Sequence, residues 1–414
     1  MRICLLCYRG KAYSGGQGVY LHYLAKELHR QGHEVHVIAG PPYPEVVPGV
    51  TMHRLESLRL YETLDDSPDL CRPEKRPSRL KPLNFYEWAA TKAGLFPEIF
   101  TFSMRAYWKL RELQPKYKFD VVHDNQCLGV GLLLMKRLGL PIVATIHHPV
   151  PIDREHHIQQ AKNWKEKWKK MRFYYFCTAQ KFVAPRVDRV INVSLASKEE
   201  CQRIFKVSDS KTRVILNGID TETFARVNGA QPQPNSLVMV GSTEDRKKGI
   251  LYLLQALKIL NQEMNVNLTI VDRKPPGTLY APGLAKEYGV EDKVFFTGRL
   301  STEELVQAYT SAEVCVIPSI YEGFGLPAAE AMSCETPLVT SRAGALPEVT
   351  GDPAEGALLV PPQDSQALAD AIKRILMDEE LKRSLGKAGR KRIEDRFTWE
   401  EAARQTVEVY KEVI

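Results

Sequence analysis

What this sequence lacks narrows the field first. Nowhere in its 414 residues is there an apolar run long enough to cross a bilayer. The opening M-R-I-C-L-L-C-Y-R-G has one Arg before a short apolar run and no small-residue cleavage site after it. A first strand is therefore expected there, not a signal peptide. Eight scattered cysteines form no disulfide-rich framework, which points to a reducing cytoplasm. Cys4-x-x-Cys7 has no second C-x-x-C to complete a zinc site. In a strand its two thiols point to opposite faces, so both are read as core residues. His123, His147, His148, His156 and His157 show no H-E-x-x-H spacing, and no metal site is expected. The surplus of 57 Lys and Arg over 50 Asp and Glu, a net +7, is too slight to mark a nucleic-acid binder.

What is present is a regular alternation. The composition, 44% apolar and 26% charged, is that of a soluble globular protein. The length predicts two domains of roughly 200 residues each. Strands are expected at 2–8, 34–39, 120–123, 142–147, 189–193 and 213–216. A second series falls at 237–240, 268–271, 294–296, 314–317, 337–340 and 357–360, with helices between. Such alternation means an α/β protein with parallel sheets covered on both faces, and ligands outside the strand C-termini. S-x-x-E patterns at Ser197 and Ser301 are expected to cap helices, as is Thr398 with Glu401 before the last one.

Two segments break the rhythm. Residues 56–97 hold several prolines and the aromatics Phe85, Tyr86 and Trp88, and are read as an excursion suited to acceptor recognition. Residues 158–183 read as one long basic, aromatic helix. Trp164, Trp168 and Tyr175 fall on or near one face, among Lys162, Lys165, Lys167, Lys169 and Lys170. Such a helix suits an anionic membrane surface; the alternative is a surface helix with solvated lysines.

The chemistry concentrates in V-I-P-S-I-Y-E-G-F-G-L-P-A-A-E, residues 316–330. A buried strand ends at Pro318, Gly323 and Gly325 form a tight loop, and a helix opens at about Leu326. The first N–H groups of a helix are unpaired and its dipole is positive there, so strand, glycine loop and helix start make an anion site. Two carboxylates frame the loop, Glu322 and Glu330. Carboxylates do not belong against phosphate, so each is expected to accept hydrogen bonds from hydroxyl groups. The pattern asks for phosphate in the middle of the ligand and a sugar at each end. A second glycine loop, S-G-G-Q-G at 14–18, precedes another helix start.

Glu322 and Glu330, with seven residues between them around G-F-G-L-P, resemble the signature of the retaining GT-B glycosyltransferases of the large family four. The resemblance implies two Rossmann-like domains, 1–218 with 396–414 and 219–395, an interdomain cleft, and a C-terminal helix crossing back to the first domain. N-G-I-D at 217–220 resembles the family's hinge. The implied activity is transfer of a hexosyl group, with retention, from a nucleotide diphosphate sugar to a lipid or small polar acceptor hydroxyl. By the same resemblance Glu330 holds the ribose and Glu322 the donor sugar, while the Phe324–Leu326 backbone meets the phosphates. Gly15 and Gly16 let donor and acceptor sit against the backbone, and His147 stands beside the transferred sugar. Lys248 in D-R-K-K-G matches the phosphate-binding lysine. Retention is explained in this family by front-face attack, with the leaving diphosphate as base.

The chain also departs from that pattern. The partnering arginine is replaced by Ser242, leaving Arg246 as the nearby substitute. Asp272-Arg273-Lys274-Pro275-Pro276 stands where glycines are usual, which leaves UDP- against GDP-sugar open. Glu335 stands where a glycine is common. No two aspartates lie two apart, so the D-x-D metal motif is absent; the diphosphate charge falls to cations and backbone amides, with no cofactor required. Two alternatives share these features: an epimerase or phosphorylase on the same fold, and a basic membrane-binding module with a degenerate transferase site.

Overall fold

The computed structural model describes residues 1–10, 16–60, 81–272, 280–351 and 355–414. Gly15, residues 61–80 of the proline-bearing excursion and residues 273–276 lie outside the described residues. The chain forms two compact units, Met1–Leu216 with Glu400–Ile414, and Asn217–Trp399.

The first unit begins β1 (Arg2–Cys7), α1 (Gly16–Arg30), β2 (Glu34–Ala39) and β3 (Thr51–Arg54). It continues through α2 (Pro82–Lys92), α3 (Glu98–Tyr117), β4 (Val121–Asn125), α4 (Gly131–Lys136) and β5 (Ile142–Ile146). Three helices follow, α5 (Val150–Gln159), α6 (Trp164–Phe173) and α7 (Phe176–Val183), then β6 (Arg189–Asn192), α8 (Leu195–Phe205) and β7 (Thr212–Val214). The sheet is parallel in the order β3-β2-β1-β4-β5-β6-β7. Its order reverses beside β1, so the C-terminal ends of β1, β4 and β5 open onto the switch point where ligands of such sheets bind.

The second unit holds β8 (Ser236–Val240), α9 (Ile250–Leu260), β9 (Asn267–Val271), α10 (Ala281–Tyr288), β10 (Val294–Phe296) and α11 (Thr302–Thr310). After these come β11 (Val314–Ile317), α12 (Leu326–Ser333), β12 (Leu338–Ser341), α13 (Leu346–Thr350), β13 (Ala357–Val360), α14 (Ser365–Met377) and α15 (Glu379–Arg396). Its parallel sheet runs β10-β9-β8-β11-β12-β13, with the switch point between β8 and β11. Leu253, Leu254, Leu257 and Leu260 of α9 are buried with Leu268, Val314 and Ile372 in this unit's core. An apolar helix of that kind is stable only when it is itself covered, and α14 covers it.

The final helix, α16 (Trp399–Lys411), returns to the first unit. Tyr410, fully buried, places its hydroxyl 2.5 Å from His123 Nδ1, and the other ring nitrogen of His123 lies 2.7 Å from Thr145 Oγ1. Glu412 receives Arg189 at 2.7 Å and Arg213 at 2.6 Å.

Several expectations change. The single helix over 158–183 is broken twice. Asn163 accepts from Glu166 N at 2.9 Å and starts α6 afresh, and Tyr174 and Tyr175 separate α6 from α7. Tyr175 therefore leaves the face carrying Trp164 and Trp168, and its hydroxyl meets that of Tyr86 at 3.1 Å. The cap of α8 is Ser194, which accepts from Ser197 N at 2.9 Å, so that helix starts earlier than the S-x-x-E pattern implies. Ser301 and Glu304 do form a reciprocal capping box. Strand β3 was not expected; it is a short polar edge strand with no alternation to read.

Glu335 also gains an explanation. The α12 helix ends with Glu335 N donating to Met332 O at 3.1 Å and Thr336 N to Ala331 O at 3.0 Å. This is the paired closure that requires a left-handed residue, and Glu335 has φ 57°. A side chain there is strained by roughly 1–2 kcal/mol, which is why glycine suits the position. Glu335→Gly should accordingly raise the urea midpoint of the second unit, by about 0.5–1 kcal/mol of stability after the added chain entropy of glycine is subtracted. An unchanged or lowered midpoint would contradict the strain.

Candidate active site

In the second unit two loops meet at the switch point. After β8 the chain makes a short turn, Arg246–Lys248, in which Asp245 Oδ1 accepts from Lys247 N at 3.0 Å. Gly249 closes it, packed so tightly that a Cβ there would lie 2.0 Å from Pro318 O. Lys247 O accepts from Ile320 N at 2.7 Å, so this turn is sewn to the loop after β11. From the other side, Ala345 N donates to Glu322 O at 3.0 Å, and a Cβ on Gly344 would meet the same carbonyl at 2.2 Å. The loop bearing Glu322 is thus gripped from both flanks.

That grip sets the side chains. Lys248 Nζ donates to Glu322 Oε1 at 2.6 Å, and Ser319 Oγ donates to the same oxygen at 2.8 Å. Glu322 is buried, and Lys248 keeps a quarter of its side chain open to solvent. An ammonium has three donors, so Lys248 holds Glu322 and still has two to offer an anion. Gly325, at φ 95°, turns the chain into α12. Among the described residues no acceptor meets the amides of Gly325 and Leu326, the first of the helix. Pro327 has no N–H to leave unpaired, and its fixed φ suits the first turn. Lys248, held by Glu322, and the amides three and four residues after Glu322 are each suited to an anion. The Phe324 side chain plays no part in it: the ring is buried edge-on against Phe397.

Glu330 stands about one turn further along α12. Tyr309 OH donates to its Oε2 at 2.9 Å. Burial pushes the Glu330 carboxyl up to about 7, and the Tyr309 hydrogen bond only partly opposes this. Arg246 is not drawn into the cluster. It is exposed, with its guanidinium 5.5 Å from the centre of the Tyr280 ring. Asp272, buried, accepts from Thr243 N and Oγ1 at 2.6 and 2.8 Å and so braces the loop where Ser242 replaces the expected arginine.

In the first unit, Gly16 opens α1 and is exposed. Asn125, at the end of β4, donates to Gln17 O at 2.9 Å, which fixes its amide so that Oδ1 accepts from His147 Nε2 at 2.7 Å. His147 therefore carries its proton on Nε2 and presents a bare Nδ1. Tyr20 packs edge-on against its ring, and its backbone N donates to Gln126 Oε1 at 2.6 Å. Burial, followed by the neighbouring His148 and His123, holds the imidazole down at about 3, so it is neutral near pH 7. It can accept a hydrogen bond from a hydroxyl through Nδ1. Hydrogen-bond donation from Nε2 is already committed to Asn125.

Ser319, Tyr309, Asn125 and Gly344 were missed by sequence reasoning. Only Ser319, directly after the strand-ending Pro318, had a local signal; the others lie 20 or more residues from the side chains they serve.

Comparison with known proteins agrees with this architecture. The family model described as Glycosyltransferase Family 4 matches residues 14–223, and that described as Glycosyl transferases group 1 matches residues 220–392. A relative from Mycolicibacterium hassiacum, MMP alpha-(1->4)-mannosyltransferase, is 42% identical over 416 residues, covering 100% of this chain and 98% of its own. Sucrose-phosphate synthase from Thermosynechococcus elongatus superposes with a TM-score of 0.75 at 27% identity, covering 100% of this chain and 99% of that one. The Anabaena protein HepE, solved in complex with UDP-glucose, shares the fold with a TM-score of 0.70 at 18% identity and full coverage of both chains. With parallel sheets in both units and relatives of the GT-B architecture matched along its whole length, the chain belongs to glycosyltransferase family 4, the group 1 glycosyl transferases.

Proposed function

We propose that the protein is a cytoplasmic, retaining, metal-independent hexosyltransferase. It takes a nucleotide diphosphate sugar and passes the sugar to a hydroxyl of a lipid or small polar acceptor. The observation that carries this reading is the Lys248–Glu322–Ser319 network at the head of α12, beside unpaired helix amides. Lys248 and the amides of Gly325 and Leu326 take the diphosphate, whose charge grows as the sugar leaves. Glu322, through the oxygen not engaged by Lys248, accepts from the donor sugar's hydroxyls. Glu330 accepts from the ribose. In the first unit Gly15 and Gly16 give the donor and acceptor a bare backbone, and His147 Nδ1 accepts from a sugar hydroxyl. Arg246 is an outlying cation for the nucleotide.

In the transfer, the bond from the anomeric carbon to the diphosphate oxygen breaks and the acceptor oxygen bonds to that carbon on the same face. The acceptor's proton passes to the leaving phosphate. Mannose is the favoured hexose, because the 42% identical relative carries mannosyltransferase and an α linkage in its name. An α-linked product from an α-configured nucleotide sugar is retention. The base remains UDP or GDP in this reading. An epimerase would use the same donor pocket without an acceptor, and product analysis separates the two.

Incubation with UDP- and GDP-glucose and -mannose, following nucleotide release with and without added acceptor sugars and polyprenyl phosphates, tests the assignment. Release with one donor, stimulated by an acceptor, is expected; no binding and no release with any donor would refute it. Lys248→Ala should lower kcat/KM by about 10²–10³-fold. Glu330→Ala should weaken nucleotide binding and His147→Ala should act mainly on kcat; the reverse pattern would exchange the roles of these two residues.

A pH dependence follows from Glu330. Its carboxyl is raised in the free protein, so the stability it contributes is present below its ordinary value of 4.5 and fades as pH rises through about 7. Ribose hydroxyls require the ionised form. Affinity for a nucleotide sugar, whose diphosphate does not titrate in this range, should rise with pH and level off above about 7, with proton release below that. Glu330→Gln should bind roughly 10-fold or more weakly with a flat profile. A flat profile in the unmodified protein would contradict the role.

A further inference from the structure

Helix α6 presents its apolar residues to solvent. Trp164, Trp168 and Met171 lie at i, i+4 and i+7, one stripe of the helix, and are 72%, 55% and 42% exposed. The inward side is set by Phe173, opposite that stripe, whose ring lies 5.2 Å from that of Phe96. No residue of α6 is buried. Cations flank the stripe: Lys165 Nζ is 5.8 Å from the Trp164 ring centre, Arg172 is 4.6 Å from that of Trp168, and Lys167 borders the other edge. Glu166, the one acid of the helix, is tied to Lys170 at 3.1 Å on the side away from the stripe. The neighbouring α2 adds Phe85, 57% exposed, and reaches this region through the Tyr86–Tyr175 contact.

Charge is distributed in the same sense. The unit containing α6 carries 37 Lys and Arg against 25 Asp and Glu, a net +12; the other carries 20 against 25, a net −5. The positive balance of the whole chain thus lies on the unit with the exposed tryptophans.

We propose that α6 is an interfacial anchor that seats the first unit on an anionic lipid bilayer. Trp164, Trp168 and Met171 enter the boundary between headgroups and acyl chains, and Lys165, Lys167 and Arg172 reach lipid phosphates from either side of the stripe. A ten-residue helix lying in the plane suffices for this. Among the described residues no helix is long and apolar enough to span a membrane. A nucleic acid would account for the cations but not for the methionine or for an unbroken apolar stripe between them.

The test is co-sedimentation of the full chain with phosphatidylcholine vesicles, with and without phosphatidylglycerol. Binding should require the anionic lipid and fall steeply as salt is raised. The double variant Trp164→Ala/Trp168→Ala should partition at least about tenfold more weakly with an unchanged thermal midpoint, since neither ring supports the core. Lys165→Glu/Lys167→Glu should match it on anionic vesicles. No partition, or partition indifferent to the tryptophans, would overturn the proposal. So would a concentration-dependent dimer abolished by the double variant, or displacement of the protein from vesicles by RNA whose own binding needs the same tryptophans.

Discussion

In the proposed function a diphosphate is met by positive charge held still, a role that falls to one ion pair. Lys248 is kept in place by Glu322, and Glu322 by a loop that two neighbouring segments grip through Gly249, Gly344 and the Lys247 and Glu322 carbonyls. Preorganisation of this kind matters because a lysine free to roam would surrender its gain on ordering. The parallel sheet supplies the frame. β8 and β11 are adjacent, so their two following loops emerge side by side, although Lys248 and Glu322 are 74 positions apart.

The same logic organises the first unit around a neutral histidine. His147 directly follows the buried strand β5, Asn125 fixes its proton on Nε2, and Gln17 O fixes Asn125. Below it a buried chain of hydroxyls and imidazole, from Tyr20 and Thr145 through His123 to Tyr410, ties α1, β4, β5 and α16 together. The C-terminal helix is therefore part of the support for the strand that bears His147.

Much of this was legible in the sequence because its signals are local. Buried parallel strands are short apolar runs, and the loop at 316–330 packs strand, glycines and helix start into fifteen consecutive residues. Ser301 and Glu304 announce their cap within one turn. What was not legible depends on partners distant in the chain. Nothing near Glu330 names Tyr309, and nothing near His147 names Asn125, so both the raised carboxyl and the histidine tautomer had to come from the fold. The 158–183 segment misled for a related reason: its helical periodicity continues across Asn163 and Tyr174–Tyr175, where capping and the aromatic packing of Tyr174 divide it. Arg246 misled by proximity in sequence, since its guanidinium lies by Tyr280 and not with Lys248.

The central claim is that the head of α12, with Lys248, is a diphosphate site. Calorimetric titration of the protein with UDP and GDP, each beside its parent nucleoside, reads it directly. The account predicts that one diphosphate binds about 100-fold or more tightly than its nucleoside, and that Lys248→Ala removes most of that difference while leaving the nucleoside's affinity unchanged. Equal affinities for nucleoside and diphosphate, or a difference that survives the loss of Lys248, would contradict it.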